Sequence, residues 1–278
     1  MSKTKSDYLL GSTAYWTASV RAKESERPDG LFHDPWAMAL AGEGGLSWMA
    51  GKTPESVIPI VLRTRFFDDF LQHVTNDLGI RQVVLLAAGL DTRAYRLNWP
   101  PGVRLIEVDQ PDILAYKEAV LHEAGTQATC ARTAVGADLT QPWTNNLLAH
   151  DFDPQVPTVW LLEGFLFYLP NDVIAHLLDA VTGLAVPGSW LAFDIVNSHV
   201  LTSPLTVKWV EMQAQAGAPW LGTMDDPVAY LAERGWTAVL TQAGAADAHY
   251  GRWPYPIIPV TMPNMPHNWY VTARFGLG

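Results

Sequence analysis

Cysteine is nearly absent from this sequence, since Cys130 is the single copy among 278 residues. One thiol cannot build a disulfide framework or a thiolate metal cluster. This argues against a small disulfide-rich secreted domain, and we predict no metal site. The opening stretch MSKTKSDYLLGSTAYW lacks the apolar core of a signal peptide. We therefore expect a soluble cytoplasmic protein.

Basic residues are also few. The chain has 18 lysines and arginines against 28 aspartates and glutamates, which gives a formal net charge of −10. Nucleic acids are bound by concentrated basic surfaces, so this composition disfavours nucleic acid as a partner. No apolar run is long enough to span a bilayer, so no membrane partner is expected. The sequence carries no signal for a particular oligomeric state.

Apolar residues are plentiful and are arranged in recognisable helices near the N-terminus. A hydrophobic fraction of 49% with 17% charged residues supplies a large core and argues against disorder. Residues 13–78 have helical patterns, with helix ends predicted at Gly42 and Gly79. A later helix is predicted to begin with Asp226 as its N-cap and to end at Gly235.

From residue 82 onward, short apolar runs alternate with helical runs. Near-continuous apolar strands separated by helices are typical of a parallel sheet covered on both faces. No helical crossover separates the last two strands, so we expect them to pair antiparallel at one edge. The predicted fold is α/β and Rossmann-like, with a seven-stranded, mostly parallel sheet and one antiparallel edge strand. Strands are predicted at 82–88, 103–109, 128–135, 157–165, 188–196, 236–242 and 269–275, and the helices between the first five at 91–97, 111–124, 143–150 and 171–184.

The predicted organisation is a single domain with three parts. Residues 1–80 form a helical N-terminal cap, 81–197 a cofactor-binding core, and 198–278 an acceptor lid with the terminal strands. Two stretches that contain several of the twelve tryptophans, 198–225 and 245–268, are predicted to be the lid itself. Tryptophans in loop-like segments are suited to line an apolar ligand pocket.

The ligand site is predicted at the ends of the first two strands. In an open α/β sheet, ligands bind outside the carboxyl ends of the strands. The first strand ends at Ala87-Ala88-Gly89, and the second ends at Asp109, twenty positions beyond Gly89 (109 − 89 = 20). An acid at this spacing is typical of a carboxylate that accepts hydrogen bonds from the two hydroxyls of an adenosine ribose. The pair therefore predicts an adenosine-containing ligand.

A dinucleotide is the alternative ligand, and the turn argues against it. Its usual loop, G-x-G-x-x-G, presents a helix N-terminus to a pyrophosphate. Here the stretch reads A-A-G-L-D-T, so the first and third glycines are missing and Asp91 would repel a phosphate. S-adenosylmethionine has a sulfonium, an amino group and a carboxylate but no phosphate, and it tolerates this acid. We therefore predict S-adenosylmethionine as the cofactor and S-adenosylhomocysteine as the product.

Several longer runs together resemble one known family. They include VVLLAAGLDTRAYRL, EVDQPDILAYKEAVL, ADLTQPW, WLLEGFLFYLP and LAFDIVN, with RAKESERPDGLFHDPWAMALAG and RTRFFDDFL upstream. The chain resembles the leucine carboxyl methyltransferase family, most of all its bacterial and fungal branch of small-molecule, polyketide-type O-methyltransferases. The resemblance implies a class I S-adenosylmethionine-dependent methyltransferase. The family motif begins G-A-G-L-D-T-R, so Ala87 is a departure, which we expect to be tolerated if its φ is negative.

The resemblance also implies a role for each matching residue. The turn of Gly89 and Asp91 would lie under the methionine and sulfonium. Asp138 would bind the adenine amine and Leu139 the adenine ring. Glu163 would lie beside the amino-acid tail. The complete set of cofactor residues implied is Arg21 or Lys23, Arg63, Ala87, Gly89, Asp91, Asp109, Gln110, Asp138, Leu139 and Glu163, with Asp109 on the ribose and the basic residues on the ligand carboxylate.

The acceptor is predicted from the weak signal for a general base. A carboxylate is already a nucleophile at neutral pH, whereas a phenol requires a base. His199, just past the fifth strand, and Tyr168 are the weak candidates for a catalytic residue, and Tyr168 is interpreted mainly as core packing. This favours methyl-ester formation on a small aromatic or polyketide-type acceptor of secondary metabolism. The alternatives are a hydroxyl O-methyltransferase, a non-catalytic nucleoside-binding protein and an NAD-linked oxidoreductase.

Overall fold

The structure, a computed structural model, describes residues 5–276, with side chains from Thr13 onward. The first four residues of the N-terminal stretch considered above lie outside the described residues. Within the described part of the chain, no helix combines the length and the apolar character needed to cross a membrane.

The N-terminal region is helical, as predicted, and consists of α1 (Lys5–Ser25), α2 (Ala37–Ala50) and α3 (Pro54–Gln72), which continues as one π-helical turn (His73–Asp77). The Thr53 hydroxyl caps α3 by accepting a hydrogen bond from the Ser56 backbone amide, and a proline occupies the first position of the helix. Gly79 has a φ of 78° and ends this helical run where predicted.

The helical segment that begins at Ala37 is broken at Gly42, where its end was predicted, but a second segment that was not predicted follows it. Gly42 leaves helical geometry (φ 55°, ψ −172°), but the helix resumes after this kink and continues to Ala50. The second half packs so closely on α1 that a Cβ at Gly45 would lie 2.4 Å from the Tyr15 carbonyl oxygen. Close packing on α1 therefore holds a second helical segment that the glycine signal alone does not reveal.

The sheet confirms the predicted fold class. Its strand order is β3-β2-β1-β4-β5-β7-β6, and all neighbouring strands are parallel except β7, which is antiparallel to both β5 and β6. The antiparallel strand lies at the predicted end of the sheet, one position in from the edge strand β6. The strands are β1 (Gln82–Leu86), β2 (Arg104–Asp109), β3 (Ala131–Gly136), β4 (Thr158–Leu162), β5 (Trp190–Val196), β6 (Trp236–Gln242) and β7 (Asn268–Phe275).

Apolar side chains fill both faces of this sheet, which explains why its strands are almost continuously apolar. One face buries Trp160 and Trp236 together with the helix α7, and the other buries Phe67 of α3 and Tyr270 of β7. All five residues of β1 are buried. The helices between the strands are α4 (Arg93–Arg96), α5 (Pro111–Glu123), α6 (Thr144–Leu148) and α7 (Asn171–Leu184).

The chain after β5 forms three short helices: α8 (His199–Thr202), α9 (Val207–Gln215) and α10 (Pro227–Ala232). Asp226 caps α10 as predicted, since its side chain accepts a hydrogen bond from the Ala229 amide (2.9 Å), and Gly235 follows with a φ of 82°.

The long connection between β6 and β7 packs on the N-terminal helices. The Tyr250 hydroxyl donates a hydrogen bond to Asp69 of α3 (3.0 Å), and Arg252 forms an ion pair with Glu24 of α1 (3.6 Å). This connection therefore ties the end of the sheet to the N-terminal region.

Candidate active site

A cavity of about 210 Å³ lies at the carboxyl ends of the parallel strands, with α1 and α3 contributing to its walls. This is the place where an open α/β sheet binds its ligands. The cavity brings together most of the residues predicted from the sequence: Arg21, Arg63, Ala87, Gly89, Asp91, Asp109, Gln110, Asp138, Leu139, Glu163 and Tyr168. Lys23 and His199 do not line it.

The turn after β1 contains two left-handed residues. Gly89 has a φ of 51° and Ala87 a φ of 53°. The condition under which Ala87 was expected to be tolerated, a negative φ, is therefore not met, because both residues of the turn are left-handed. An L-residue with a Cβ is strained in this region by about 1–2 kcal/mol. Ala14 of α1 covers the turn, and its Cβ would lie 3.4 Å from a Cβ at Gly89.

We expect Ala87→Gly to stabilise the protein. Glycine relieves the left-handed strain, and this gain exceeds the cost of the greater conformational entropy of glycine in the unfolded chain. The expected net gain in the free energy of unfolding is about 0.5–1 kcal/mol. Thermal unfolding should show a melting temperature about 1–2 °C higher. The neighbouring Ala88→Gly is the matched control, because Ala88 is buried and its φ is not positive, and it should lower the melting temperature. Equal changes in the two variants would contradict this interpretation of Ala87.

Asp109 ends β2 with its carboxylate held by backbone amides. One oxygen accepts from the Gly89 amide and the other from the Gln110 amide, each at 2.6 Å. Burial raises the pKa of this carboxyl, and the two amide hydrogen bonds oppose that effect. The carboxylate is thus fixed in orientation, and each oxygen retains a lone pair for a ligand hydroxyl. This geometry fits the predicted ribose contact.

The strip after β3 supplies a polar and an apolar contact next to Asp109. The Asp138 carboxylate accepts hydrogen bonds from the Thr140 amide (2.9 Å) and hydroxyl (2.7 Å), which fixes the turn. Leu139 is buried and lines the same cavity. An apolar side chain beside a fixed carboxylate fits the predicted adenine site.

A chain of buried ion pairs lies along the cavity wall, and we call it the arginine–carboxylate network. Its connections run through ion pairs of 4.0 Å or less, and all nine side chains are at most 15% exposed. The members are Arg21, Asp34, Arg96, Asp68, Arg93, Asp91, Glu163, Arg63 and Asp194, in the order of their connections.

Arg63 was predicted to bind the ligand carboxylate, and the structure places it between two acids of the protein. It donates to Glu163 (3.1 Å) and to Asp194 (3.0 Å). Gly164 has a φ of 68°, and a Cβ there would lie 2.7 Å from Arg63 Nη2. Glycine is therefore required at this position for the guanidinium to lie against the backbone. Two of the five N–H donors of Arg63 are used, so others remain for a ligand.

Glu163 has the buried partners that its position after an apolar strand required. Its two oxygens lie 3.1 Å from Arg63 Nε and 2.7 Å from Arg93 Nη2. Burial opposes ionisation of Glu163, but Arg93 and Arg63 outweigh burial and hold its pKa below the ordinary value. The side chain is therefore a carboxylate at the cavity wall, as a ligand ammonium requires.

The choice between Arg21 and Lys23 is decided by position. Arg21 lines the cavity and donates to Asp34 (2.8 Å) and to the Leu90 carbonyl oxygen (2.6 Å). Lys23 is 63% exposed and pairs with Glu26 on the surface. Including Lys23 among the cofactor residues was therefore wrong for this structure, since its side chain lies outside the cavity.

His199 was the weak candidate for a base, and it lies away from the cavity. It begins α8 and interacts electrostatically with His267, not with the strand ends. Tyr168 does line the cavity, and burial raises its pKa to about 12. Its hydroxyl is therefore protonated at neutral pH and can donate a hydrogen bond but cannot act as a base.

Sequence reasoning missed five of the nine residues of the network and part of the aromatic wall of the cavity. Arg93 and Arg96 stand within the D-T-R-A-Y-R motif, so the motif itself was the available signal. Asp34, Asp68 and Asp194 also lie within the runs that carry the family resemblance, but nothing in those runs indicates that they pair with arginines. The aromatic wall was predicted in part, because tryptophans outside the sheet pattern were expected to line a pocket, and Trp48, Trp209 and Trp220 do so. Trp16, Phe167 and Gln213 of the same wall were missed.

The charge of the site fits S-adenosylmethionine. The network holds four arginines and five carboxylates, a balance of −1, and Asp109 adds a further buried carboxylate beside it. The sulfonium, ammonium and carboxylate of the cofactor sum to +1. A pyrophosphate would add negative charge to a site that already has an excess of acids. Among the described residues, no group of three histidines, cysteines or carboxylates is placed to hold a metal ion.

Comparison with known sequences agrees with this chemistry. The sequence profile of leucine carboxyl methyltransferase matches residues 14–182. A protein of Streptomyces coelicolor named as an S-adenosyl-L-methionine-dependent methyltransferase is 39% identical over 87% of this chain and 88% of its own length. A protein of Frankia alni with the same description is 42% identical over 82% of this chain and 83% of its own length.

Solved structures share the fold at low sequence identity. A DUF574 family protein from Streptomyces avermitilis aligns with a TM-score of 0.61 and 17% identity, over 93% of this chain and 97% of that one. The magnesium protoporphyrin IX methyltransferase of Synechocystis with bound SAM aligns with a TM-score of 0.51 and 11% identity, over 84% and 92% of the chains. With the profile covering more than half of its length, the chain belongs to the leucine carboxyl methyltransferase family of S-adenosylmethionine-dependent methyltransferases.

Proposed function

We propose that this methyltransferase forms methyl esters on the carboxylate of a small, apolar acceptor of secondary metabolism. One observation carries the proposal. The described residues that line the cavity include no histidine and no lysine, and Asp91 and Glu163 are already paired with arginines. The two other acids of the lining, Asp109 and Asp138, are assigned to the nucleoside. A wall without a free base suits an acceptor that is already anionic at neutral pH.

The carboxyl ends of β1 and β2 would hold the nucleoside. When bound, S-adenosylmethionine supplies an electrophilic methyl group on its sulfonium. Asp109, fixed by two backbone amides, would accept hydrogen bonds from the ribose hydroxyls. Leu139 would pack on the adenine ring, and Asp138 would accept from its exocyclic amine.

The arginine–carboxylate network would hold the amino-acid tail. The unused N–H donors of Arg63 and Arg21 would bind the ligand carboxylate, since a guanidinium fork matches that group. Glu163 would lie beside the ligand ammonium. A large network fixed by mutual ion pairs needs little rearrangement on binding, so it presents charges in a constant geometry.

The remaining work of the protein is to align the acceptor and to exclude water. In-line transfer depends chiefly on holding the acceptor oxygen opposite the leaving sulfur in a closed site. Tyr168 is protonated at neutral pH, so its hydroxyl would donate a hydrogen bond to the acceptor carboxylate and orient it. The aromatic residues would displace water from the acceptor.

A product analysis tests the proposal. The protein is incubated with methyl-labelled S-adenosylmethionine and a panel of aromatic carboxylic acids and phenols, and products are read by mass spectrometry before and after mild alkali. We expect alkali-labile esters. The Asp109→Ala variant is the control and should yield much less labelled product when the cofactor concentration is well below saturation. Ether products alone, which survive alkali, would contradict ester formation.

Hydroxyl methylation is the second candidate, and one observation favours it. Four acids and four arginines line the cavity, and the buried network acids behind them, Asp34, Asp68 and Asp194, give the site an excess of acids. This excess favours a neutral acceptor over an anionic one. The same product analysis separates the two chemistries.

Calorimetry tests the two alternatives in which no methyl group is transferred, an NAD-linked oxidoreductase and a non-catalytic nucleoside-binding protein. S-adenosylmethionine and S-adenosylhomocysteine should bind, whereas NAD should not, because its pyrophosphate meets an excess of acids. Binding of the nucleosides without any product from the panel would favour a non-catalytic nucleoside-binding protein.

A further inference from the structure

The aromatic residues of the cavity come from two separate parts of the chain. Trp16 of α1 and Trp48 of α2 stack with ring centroids 5.1 Å apart and an interplanar angle of 7°. Trp209 of α9 and Trp220 of the following segment meet edge to face at 4.3 Å. All four line the cavity. We call them the Trp16–Trp48 pair and the Trp209–Trp220 pair.

The Trp209–Trp220 pair continues an aromatic cluster at the end of β4. Trp220 lies 4.3 Å from Phe167, and Phe167 lies 4.7 Å from Tyr168. This cluster follows Glu163 in the chain, so it adjoins the residues assigned to the amino-acid tail and lies apart from the ribose and adenine contacts. It therefore occupies the side of the cavity that remains for the acceptor.

Packing does not explain why Trp209 is a tryptophan. α9 contains no buried residue, and the Trp209 side chain is 38% exposed even though it lines the cavity. Met212 on the same helix and Leu221 beside Trp220 are also about half exposed. A cluster of large apolar side chains left open to water at the mouth of a cavity is typical of a ligand-binding surface.

Gln213 adds one polar group to this wall. It stands four positions after Trp209, so both side chains lie on one face of α9. Gln213 lines the cavity, and its side-chain amide makes no hydrogen bond with any residue that the structure describes. An amide has two donors and one acceptor to offer a ligand.

Resting on the proposed function, we propose that the acceptor is a flat aromatic compound held by the two tryptophan pairs, with Gln213 as the hydrogen-bonding residue that selects its polar substituent. Rings bind favourably on indole faces and edges, which gives the ring its orientation. A side chain built to hydrogen-bond a substituent discriminates strongly against analogues that lack it. The structure thus assigns acceptor specificity to α9 and the segment that follows it.

Binding of three probes to the S-adenosylhomocysteine complex tests this assignment by calorimetry. The probes are 1-naphthoate, 1-naphthol and cyclohexanecarboxylate, so that flatness and charge vary separately. We expect both naphthalene compounds to bind at least tenfold more tightly than cyclohexanecarboxylate. Trp209→Ala should remove most of this preference, Trp209→Phe should retain it, and Trp253→Ala, which alters a tryptophan outside the cavity wall, should leave it unchanged.

A change of charge at position 213 tests the proposed role of Gln213. Gln213→Glu should weaken the binding of 1-naphthoate about tenfold or more, because the two negative charges repel each other. It should leave the binding of 1-naphthol nearly unaffected. Gln215→Glu places the same charge on an exposed position of α9 and should change neither. Equal affinity for the flat and non-flat probes, no effect of Trp209→Ala, or equal effects of the two glutamates would overturn the inference. If the unmodified protein does not bind S-adenosylhomocysteine, this result would instead contradict the proposed function.

Discussion

Replacing Asp109 by alanine should weaken S-adenosylmethionine binding by more than tenfold. The side chain holds the Gly89 amide and the Gln110 amide at 2.6 Å each, so its loss would remove the proposed ribose contact and would also free the turn after β1. Hydrogen bonds to a charged group are about twice as strong as neutral ones. Calorimetry of cofactor binding measures the effect.

Two comparisons make the Asp109 result interpretable. Asp172→Ala removes an exposed acid from the first turn of α7 and should leave affinity unchanged. Lowering the pH should weaken binding in the unmodified protein, because protonated Asp109 accepts fewer hydrogen bonds. Since burial raises the pKa of Asp109, this loss should begin at a higher pH than for an exposed aspartate. Unchanged affinity in Asp109→Ala would show that the ribose is held elsewhere.

Replacing Arg93 by methionine should lower the free energy of unfolding by about 3–5 kcal/mol, because uncompensated buried charge remains. Arg93 is 2% exposed and pairs with Asp68, Asp91 and Glu163. Urea unfolding measures the loss. Arg65→Met is the matched control, because Arg65 also pairs with an aspartate, Asp69, but is 39% exposed. Its loss should cost less than about 1 kcal/mol. Equal losses would contradict a buried network.

The pH dependence of stability gives a second readout for Arg93. Burial alone would raise the pKa of Asp91, but the guanidinium of Arg93 and the other nearby cations outweigh burial and lower it to about 2. A lowered carboxyl pKa contributes stability that is present above the ordinary value near 3.8 and is lost as the pH falls through about 2. In Arg93→Met the pKa of Asp91 should rise, so acid destabilisation should begin at higher pH.

The fold and the nucleoside corner are determined by local sequence patterns. A strand buried on both faces must be apolar throughout, so β1 and its neighbours are visible in the sequence, and the helices that cross between them follow from their own periodicity. The interval between Gly89 and Asp109 is set by one strand–helix–strand unit, which is why the two residues meet at 2.6 Å as their spacing indicated. These features need no information about distant parts of the chain.

The partners of the charged residues were decided by tertiary structure. Residues that are two positions apart on an α-helix differ by about 200° in direction, so Arg21 and Lys23 point to opposite sides of α1. Only the packing of α1 determines that Arg21 is the one that faces the cavity. Arg63 meets Asp194 across 131 positions of sequence, and no local pattern indicates that pairing. The left-handed φ of Ala87 likewise follows from the turn, not from the residue.

The sequence by itself therefore determined the sheet and placed Gly89 and Asp109, the proposed ribose site, together at its strand ends. Only the tertiary structure decided which arginines reach the cavity, that His199 does not, and that tryptophans from the two ends of the chain line it together. The physical reason is the distance along the chain over which each interaction acts. Strand and helix patterns are set by neighbours within one element. The role of a buried charge or an exposed indole depends on groups from distant parts of the chain that folding brings together.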